Sequence, residues 1–485
     1  MTEQGCRRVC VGLRFHFPYL VDTGLNKAES GQKRDACFSR SQKADFRDYF
    51  HRALLPALEC SREWLEGGDC ISFSPSGLAI EQILAAESDY TDTLKQVLTH
   101  RHAEVLGQTY YRSVAGLFST KDEFVYQVGR HLEQVEDFTG KRPEIFEHTE
   151  FVFDSGLAEV VQDLGFSAIY SEGYDHILSE LNPNYVYSCR ELPVLLRNCR
   201  LSDDVAHRFH DHTWDQYPLS AEKFAGWIAE TRGTCIHLSL DAAVFAGNGR
   251  DAITFREFFV DLPHALHEHD IVTVLPGSVI RDQAQRELRL EDLGQCSPDG
   301  TCALTGIQNM FQQSAFWCIE EGAVLVAEKE TWRRLQSTDH FTRMAVTSGS
   351  CGRITARNTS QEAYDYFSAY MGALSRCEAA SSGRHRSRLA AKALRCLPPA
   401  KAFHFYSAFR YIGYSAYSLK EFSRLLEFIP DDVFRFHQER EDFSRWITDV
   451  LGDRHLAGRL KQCTRSGEAA ELVRERVMEL CRRLR

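Results

Sequence analysis

Residues 236–241 read IHLSLD, a short β-leaning run closed by an acidic residue, and residues 145–150 read IFEHTE, which closes on Glu150 in the same way. Working outward, further apolar runs of strand length fall at 11–15, 71–73, 167–171 and 271–275. Helical patterns such as 46–64, 121–138 and 157–164 lie between them. Strand and helix alternating from about residue 9 to 279 imply a parallel sheet or barrel. In such folds functional side chains collect at the carboxyl ends of the strands. Asp241 and Glu150 therefore stand where an active face is expected, although the same position also suits a carboxylate that merely caps the next helix.

Beyond this region the pattern changes. From about 281 to 375 it is mainly helical, most clearly at 309–319 and 360–374. The stretch 379–399, with SSGRHRSR and LPP, is small, basic and proline-ended, and reads as a solvated linker. An aromatic and helical segment at 402–460 and an amphipathic helix at 468–484 come after it. The expected division is a β/α domain over 8–280, a helical domain over 281–378, a linker over 379–399 and a C-terminal helical module over 400–485. A chain of 485 residues is long enough for two or three domains.

The formal net charge of −11 removes the broad attraction that a phosphate backbone needs, so nucleic acid is not an expected partner. No run approaches 18 apolar residues, and the polar start before Val11 lacks a signal-peptide core. Neither a membrane partner nor export is expected, and the location read from this is cytoplasmic. The 16 cysteines run from Cys6 to Cys481 without a CxxC pair, which fits reduced thiols. His210 with His212, and His267 with His269, lack further ligands at zinc spacing, so neither a metal nor a cofactor is expected.

Five stretches belong together: FHFPY with His16; Glu104 with LGQTYYRS; PEIFEHTEF with Glu150; SLDAAVFAGN with Asp241; and LQSTDHFTRM with Asp339 and His340. In this order they resemble the five motifs of glycoside hydrolase family 57. Phe17 stands where the first motif has Gln, and Arg112 stands where the second, after Tyr110 and Tyr111, has His. Gln108 replaces the Glu of the amylase-like subgroup. Ala242, Ala243 and Asn248 replace Tyr, Glu and His of the fourth motif, and Thr342 and Arg343 replace two tyrosines of the fifth. The intervening stretches SEGYDHIL, NPNYVY, RLSDDVAHRF and TWDQYPLSAEKFAGW match the amylase-like subgroup nearly in register, so the resemblance covers about 9–374. The segments KAFHFYSAFRYIGYSAYSLKEF and EFIPDDVFRFHQEREDFSRWITDVLGD resemble a small helical module often appended to such proteins.

The resemblance implies an α/β fold, an incomplete parallel (β/α)7-type barrel followed by a helical domain that completes the site and a small C-terminal helical module. It implies a retaining reaction on α-1,4-glucan or maltooligosaccharide, either hydrolysis or 4-α-glucanotransfer. Such chemistry needs two carboxyl groups roughly 5 to 5.5 Å apart. Glu150 would be the nucleophile and Asp241 the proton donor. His16 and Asp339 would hold sugar hydroxyls, and Glu104, Arg112 and His340 would complete the substrate contacts. Tyr110, Tyr111 and Trp214 suit stacking on sugar faces and suit core packing equally well. The altered motifs keep a second reading open, a non-catalytic relative that binds or senses glucan. A third, a metal-dependent deacetylase-like barrel enzyme, requires ligands that the sequence does not offer. The oligomeric state is not legible.

Overall fold

A computed structural model describes residues 7–24, 37–86, 88–149, 155–173, 181–282, 284, 287–288, 307, 309–346 and 358–484. The chain divides into two compact units, one drawn from 1–18, 41–305 and 349–353, the other from 19–40, 306–348 and 354–485. Among the described residues no helix is long and apolar enough to cross a membrane.

The described part of the first unit is built on strands that succeed one another around an incomplete barrel. β1 (Arg8–Phe15) lies between β2 (Ile71–Pro75) and β8 (Ile236–Asp241), all parallel, and β2 carries β3 (Ala103–Val105) on its other side. A single parallel bridge from Gly107 to Phe146 links this sheet to β4 (Ile145–Glu147). β4 pairs in parallel with β5 (Ala168–Gly173), and β5 with β7 (Leu192–Asn198), against which β6 (Tyr187–Cys189) folds back antiparallel. Between β7 and β8 the ladder fails. There Arg197 bridges instead, donating Nε–H to the Ser239 carbonyl at 3.3 Å while its other nitrogens reach Glu172 at 3.3 Å and Asp203 at 2.6 Å. β9 (Val272–Thr273) pairs with the first residues of β1.

The strands form where short apolar runs can be buried on both faces, as parallel barrels require. Helices cover the outside. A helical stretch runs through Gln42–Tyr49, Phe50–Leu54 and Leu55–Gly67, and buries Phe46, Phe50, Leu54 and Leu58 at four-residue spacing. It stops at Gly68, whose φ of 97° is the left-handed cap that glycine adopts without strain. The Asp122–Thr139 helix buries Phe124, Val128, His131, Leu132 and Val135, a stripe of one helical face. The fold is thus the incomplete parallel β/α barrel that the sequence leads one to expect.

The second unit differs from expectation at 379–399. This stretch is not a tether. The Ser360–Ser381 helix runs into it, and the Arg388–Leu394 helix, capped by Ser387, buries Ala390, Ala391, Ala393 and Leu394 in the same apolar core as the residues after 403. The basic residues that suggested solvation lie beside an alanine-rich face, RLAAKAL, and that face decides the packing. Nor is the C-terminal segment purely helical. β10 (Phe403–Ser407) and β11 (Arg410–Ala416) form a hairpin through Ala408 and Phe409, both at positive φ. The remainder is helical to Leu484, as expected. Buried side chains connect it with the helices that precede it: Ser314 donates to Glu421 at 2.6 Å and Ser418 to Glu321 at 3.0 Å.

Candidate active site

The strand register places Arg14 beside both Ser74 and Asp241, and Phe15 beside Pro75, so these residues share the carboxyl edge of the sheet. His16 comes directly after the end of β1. Its Nδ1 lies 2.8 Å from the Ser76 hydroxyl, which also caps the Gly77–Leu84 helix by accepting the Ala79 N–H. From the next strands come Gln108, anchored by its side-chain amide to the Ser74 carbonyl at 2.9 Å, and Glu147, His148 and Thr149 at the end of β4. With Arg14, Phe15, His16, Ser74 and Arg112 they line a cavity of about 10 Å³, which is room for one water molecule and not for a sugar ring.

Arg112 links this cavity to Asp241. Its Nη1 lies 3.4 Å from Asp241 Oδ2, while Asp241 Oδ1 accepts the Ala243 N–H at 2.9 Å and caps the turn after β8. Both oxygens of the expected proton donor are therefore acceptors here. Arg112 takes up this position with φ at 48°, a left-handed conformation unusual for a side-chain-bearing residue. The loop around it is pinned by Thr109, whose carbonyl accepts the Arg112 N–H at 3.0 Å and whose hydroxyl meets Thr149 Oγ1 at 2.9 Å and the Ser113 N–H at 3.0 Å. His148 packs so closely on Gly116 that a Cβ there would come within 2.2 Å of its Nε2.

Of the residues singled out in the sequence, His16, Arg112 and Asp241 come together at this end of the barrel. Glu150 lies outside the described residues, directly after Thr149. Glu104 does not join them. It sits level with Ser72 and Gly12 of the neighbouring strands, below the carboxyl edge, and accepts the Gly277 N–H at 2.9 Å. Burial pushes its carboxyl pKa upward, and the Gly277 hydrogen bond partly opposes this. Tyr110 and Tyr111 are core residues rather than sugar platforms. Both are buried, Arg130 lies 3.8 Å from the centre of the Tyr110 ring and bonds the Tyr111 hydroxyl, and Tyr110 donates to Glu81 at 2.9 Å. Trp214 packs edge-on to Trp227 at 5.9 Å, against the outer core, and does not line the cavity.

Asp339 and His340 belong to the second unit. Asp339 accepts the Ser337 hydroxyl at 2.9 Å. His340 is fully buried, with Nδ1 at 2.8 Å from the Tyr366 hydroxyl and Nε2 at 3.1 Å from the Arg334 carbonyl, and so serves the core of that unit. The histidine pairs also have ordinary partners: His212 packs on Tyr217 at 4.4 Å and His267 bonds Asp69 at 3.1 Å.

Sequence reasoning missed Glu147, His148 and Arg14 as cavity residues. The usable signal was the strand end: β4 stops at Glu147 rather than at Glu150, which puts the earlier acid of IFEHTE on the edge.

Residues 12–292 match the family model described as Glycosyl hydrolase family 57, which is more than half of the chain. The chain belongs to glycosyl hydrolase family 57. A relative from Methanocaldococcus jannaschii, named putative alpha-amylase, is 30% identical over 272 residues, covering 56% of this chain and 58% of that protein. The chain thus spans less than two thirds of that relative's length. Among solved structures, the 4-alpha-glucanotransferase of Thermococcus litoralis aligns at 12% identity with a TM-score of 0.51, over 69% of this chain and 56% of that one. A family 57 branching enzyme of Thermococcus kodakaraensis aligns at 11% identity with a TM-score of 0.51, over 76% and 90% respectively. At such identities the likeness concerns the fold of family 57.

Proposed function

We propose that this chain acts on α-1,4-glucans or maltooligosaccharides by a retaining double displacement, as a hydrolase or 4-α-glucanotransferase of the amylase-like subgroup. Glu150 attacks the anomeric carbon as Asp241 protonates the departing glycosidic oxygen. Water or a sugar hydroxyl, deprotonated by Asp241, then releases the glycosyl group. His16 holds a sugar hydroxyl. The observation that carries this reading is the position of Arg112: it lines the cavity beside Thr149, the residue before Glu150, and pairs with Asp241. Arg112 thus lines the same cavity as the residue before one proposed carboxylate and pairs with the other, which supports this reading. For a sugar to enter, Arg112 has to release Asp241, which frees one oxygen to carry the proton.

The same pairing, with a cavity of about 10 Å³, favours a second reading, a glucan-binding or regulatory relative without turnover. Incubation with maltoheptaose separates the two. Shorter and longer products that disappear with Glu150→Gln and with Asp241→Asn support catalysis. Glycogen binding without any product, unchanged by Asp241→Asn, supports the second.

A further inference from the structure

Cys10 on β1, Cys235 directly before β8 and His237 on β8 meet inside the barrel, His237 lying four residues before Asp241 and so roughly 13 Å down the strand from the candidate active site. The register sets Cys10 beside His237, and the two sulfurs lie 3.6 Å apart. Both sulfurs and a ring nitrogen of His237 fall within 4.8 Å of one another. All three residues are at most 1% exposed. The Nδ1 of His237 is 2.8 Å from the Tyr170 hydroxyl, while its Nε2, equally buried, has no hydrogen-bond partner. The surroundings are apolar, with Leu106, Ile145, Ala168 and Val279 in the same cluster.

We propose that Cys10, Cys235 and His237 bind a thiophilic divalent cation of the zinc type. Tetrahedral zinc with sulfur bonds of about 2.3 Å holds two thiolates about 3.8 Å apart, close to the separation found here. Loading exchanges the cation for the two thiol protons, which leave to solvent, so two thiolates and one divalent ion give a neutral centre. That balance matters in a dry interior, where uncompensated charge is costly. A metal-bound histidine keeps its other ring nitrogen hydrogen-bonded, and His237 has one nitrogen held by Tyr170 and one without a partner. A shared thiol hydrogen bond would account for the sulfurs but not for that nitrogen. A disulfide would require the sulfurs to close to about 2.05 Å and would also leave the nitrogen unserved. With its donors enclosed by protein and no open face, the site is structural.

The test uses the full chain, purified under reducing conditions. About one zinc per chain should copurify. Exchange with cobalt(II) should produce a thiolate-to-cobalt charge-transfer band that is absent in the Cys10→Ser/Cys235→Ser double variant, which keeps the other 14 of the 16 cysteines. Should that variant fail to fold, His237→Gln, which keeps both thiols, should weaken zinc binding at least about tenfold. Chelation should also lower the Tm of the unaltered protein, and zinc should restore it. Folded protein that takes up neither ion, or a cobalt band that persists in the double variant, overturns the proposal. So does a Cys10–Cys235 crosslink in protein already saturated with zinc.

Discussion

Arg112 Nη1 stands 3.4 Å from Asp241 Oδ2 and ties the loop after β3 to the end of β8. The pair is partly shielded, with side-chain exposures of 14% and 33%. An arginine keeps its charge under all ordinary conditions. Arg112→His restores the residue type of the family motif and shortens the reach to Asp241. The expected outcome is a gain in maltoheptaose conversion of about tenfold, equivalent to about 1.4 kcal/mol released for the proton-transfer step. Product chromatography reads it, and a clear loss would show that the guanidinium assists the reaction.

Gly116 is held against the ring of His148. Gly116→Ala forces a methyl to within 2.2 Å of Nε2, and neither the turn at Val114–Leu117 nor the strand end can yield freely. Overpacking of this kind costs about 1 to 3 kcal/mol. A lowered Tm is expected, together with displacement of His148 from the cavity wall. An unchanged Tm would mean that the ring moves without resistance.

His131 supports the site from behind. It accepts the Gln108 N–H on Nδ1 at 3.3 Å and donates from Nε2 to the Pro75 carbonyl at 2.8 Å, which assigns the neutral tautomer. Burial pushes its pKa down from 6.5 to about 4. Over that interval the unfolded chain binds a proton that the folded chain refuses. The stability from the neutral ring is therefore complete above about pH 6.5 and is lost as the pH falls towards about 4. Urea midpoints should fall across this window, and more shallowly in His131→Gln.

Glu378 in the second unit has the opposite sign. It is buried, with Oε2 accepting the Cys396 N–H at 2.7 Å and Oε1 without a partner, and burial raises its pKa from 4.5 to about 8. The folded form keeps a proton that the unfolded form sheds, so its stability is complete below 4.5 and is lost as the pH rises through about 8. Glu378→Gln retains an acceptor for Cys396. The variant should match the parent near pH 4.5 and exceed it by a few kcal/mol near pH 9, in denaturation followed by tryptophan fluorescence.

The strands that sequence revealed were those in which apolar residues recur at every second position, such as VGLRF and IHLSLD. β7 was missed because Pro193 and Arg197 break the run LPVLLRN, and burial of Arg197 depends on Glu172 and Asp203 reaching it from elsewhere in the chain. β3, at three residues, is too short to show a period. In the site, His16, Arg112 and Asp241 were legible through motif order. Sequence left Tyr110 and Tyr111 open between core packing and sugar stacking, because the residue that holds them in the core, Arg130, is outside the motif. The Cys10, Cys235 and His237 group was invisible for a similar reason: the two cysteines are 225 positions apart, and only the strand register joins them.

The short Arg388–Leu394 helix fixes where the C-terminal part of the protein can be divided. Ala390, Ala391, Ala393 and Leu394 sit in one apolar interior with Phe405, Phe422 and Leu480. A fragment beginning at 400 would present that oily wall to water, and a truncated chain stopping at 378 would forfeit it altogether. A fragment expected to stay soluble has to begin upstream of Ser387, so shortened versions of this protein should keep 388–397 attached to the β10–β11 hairpin.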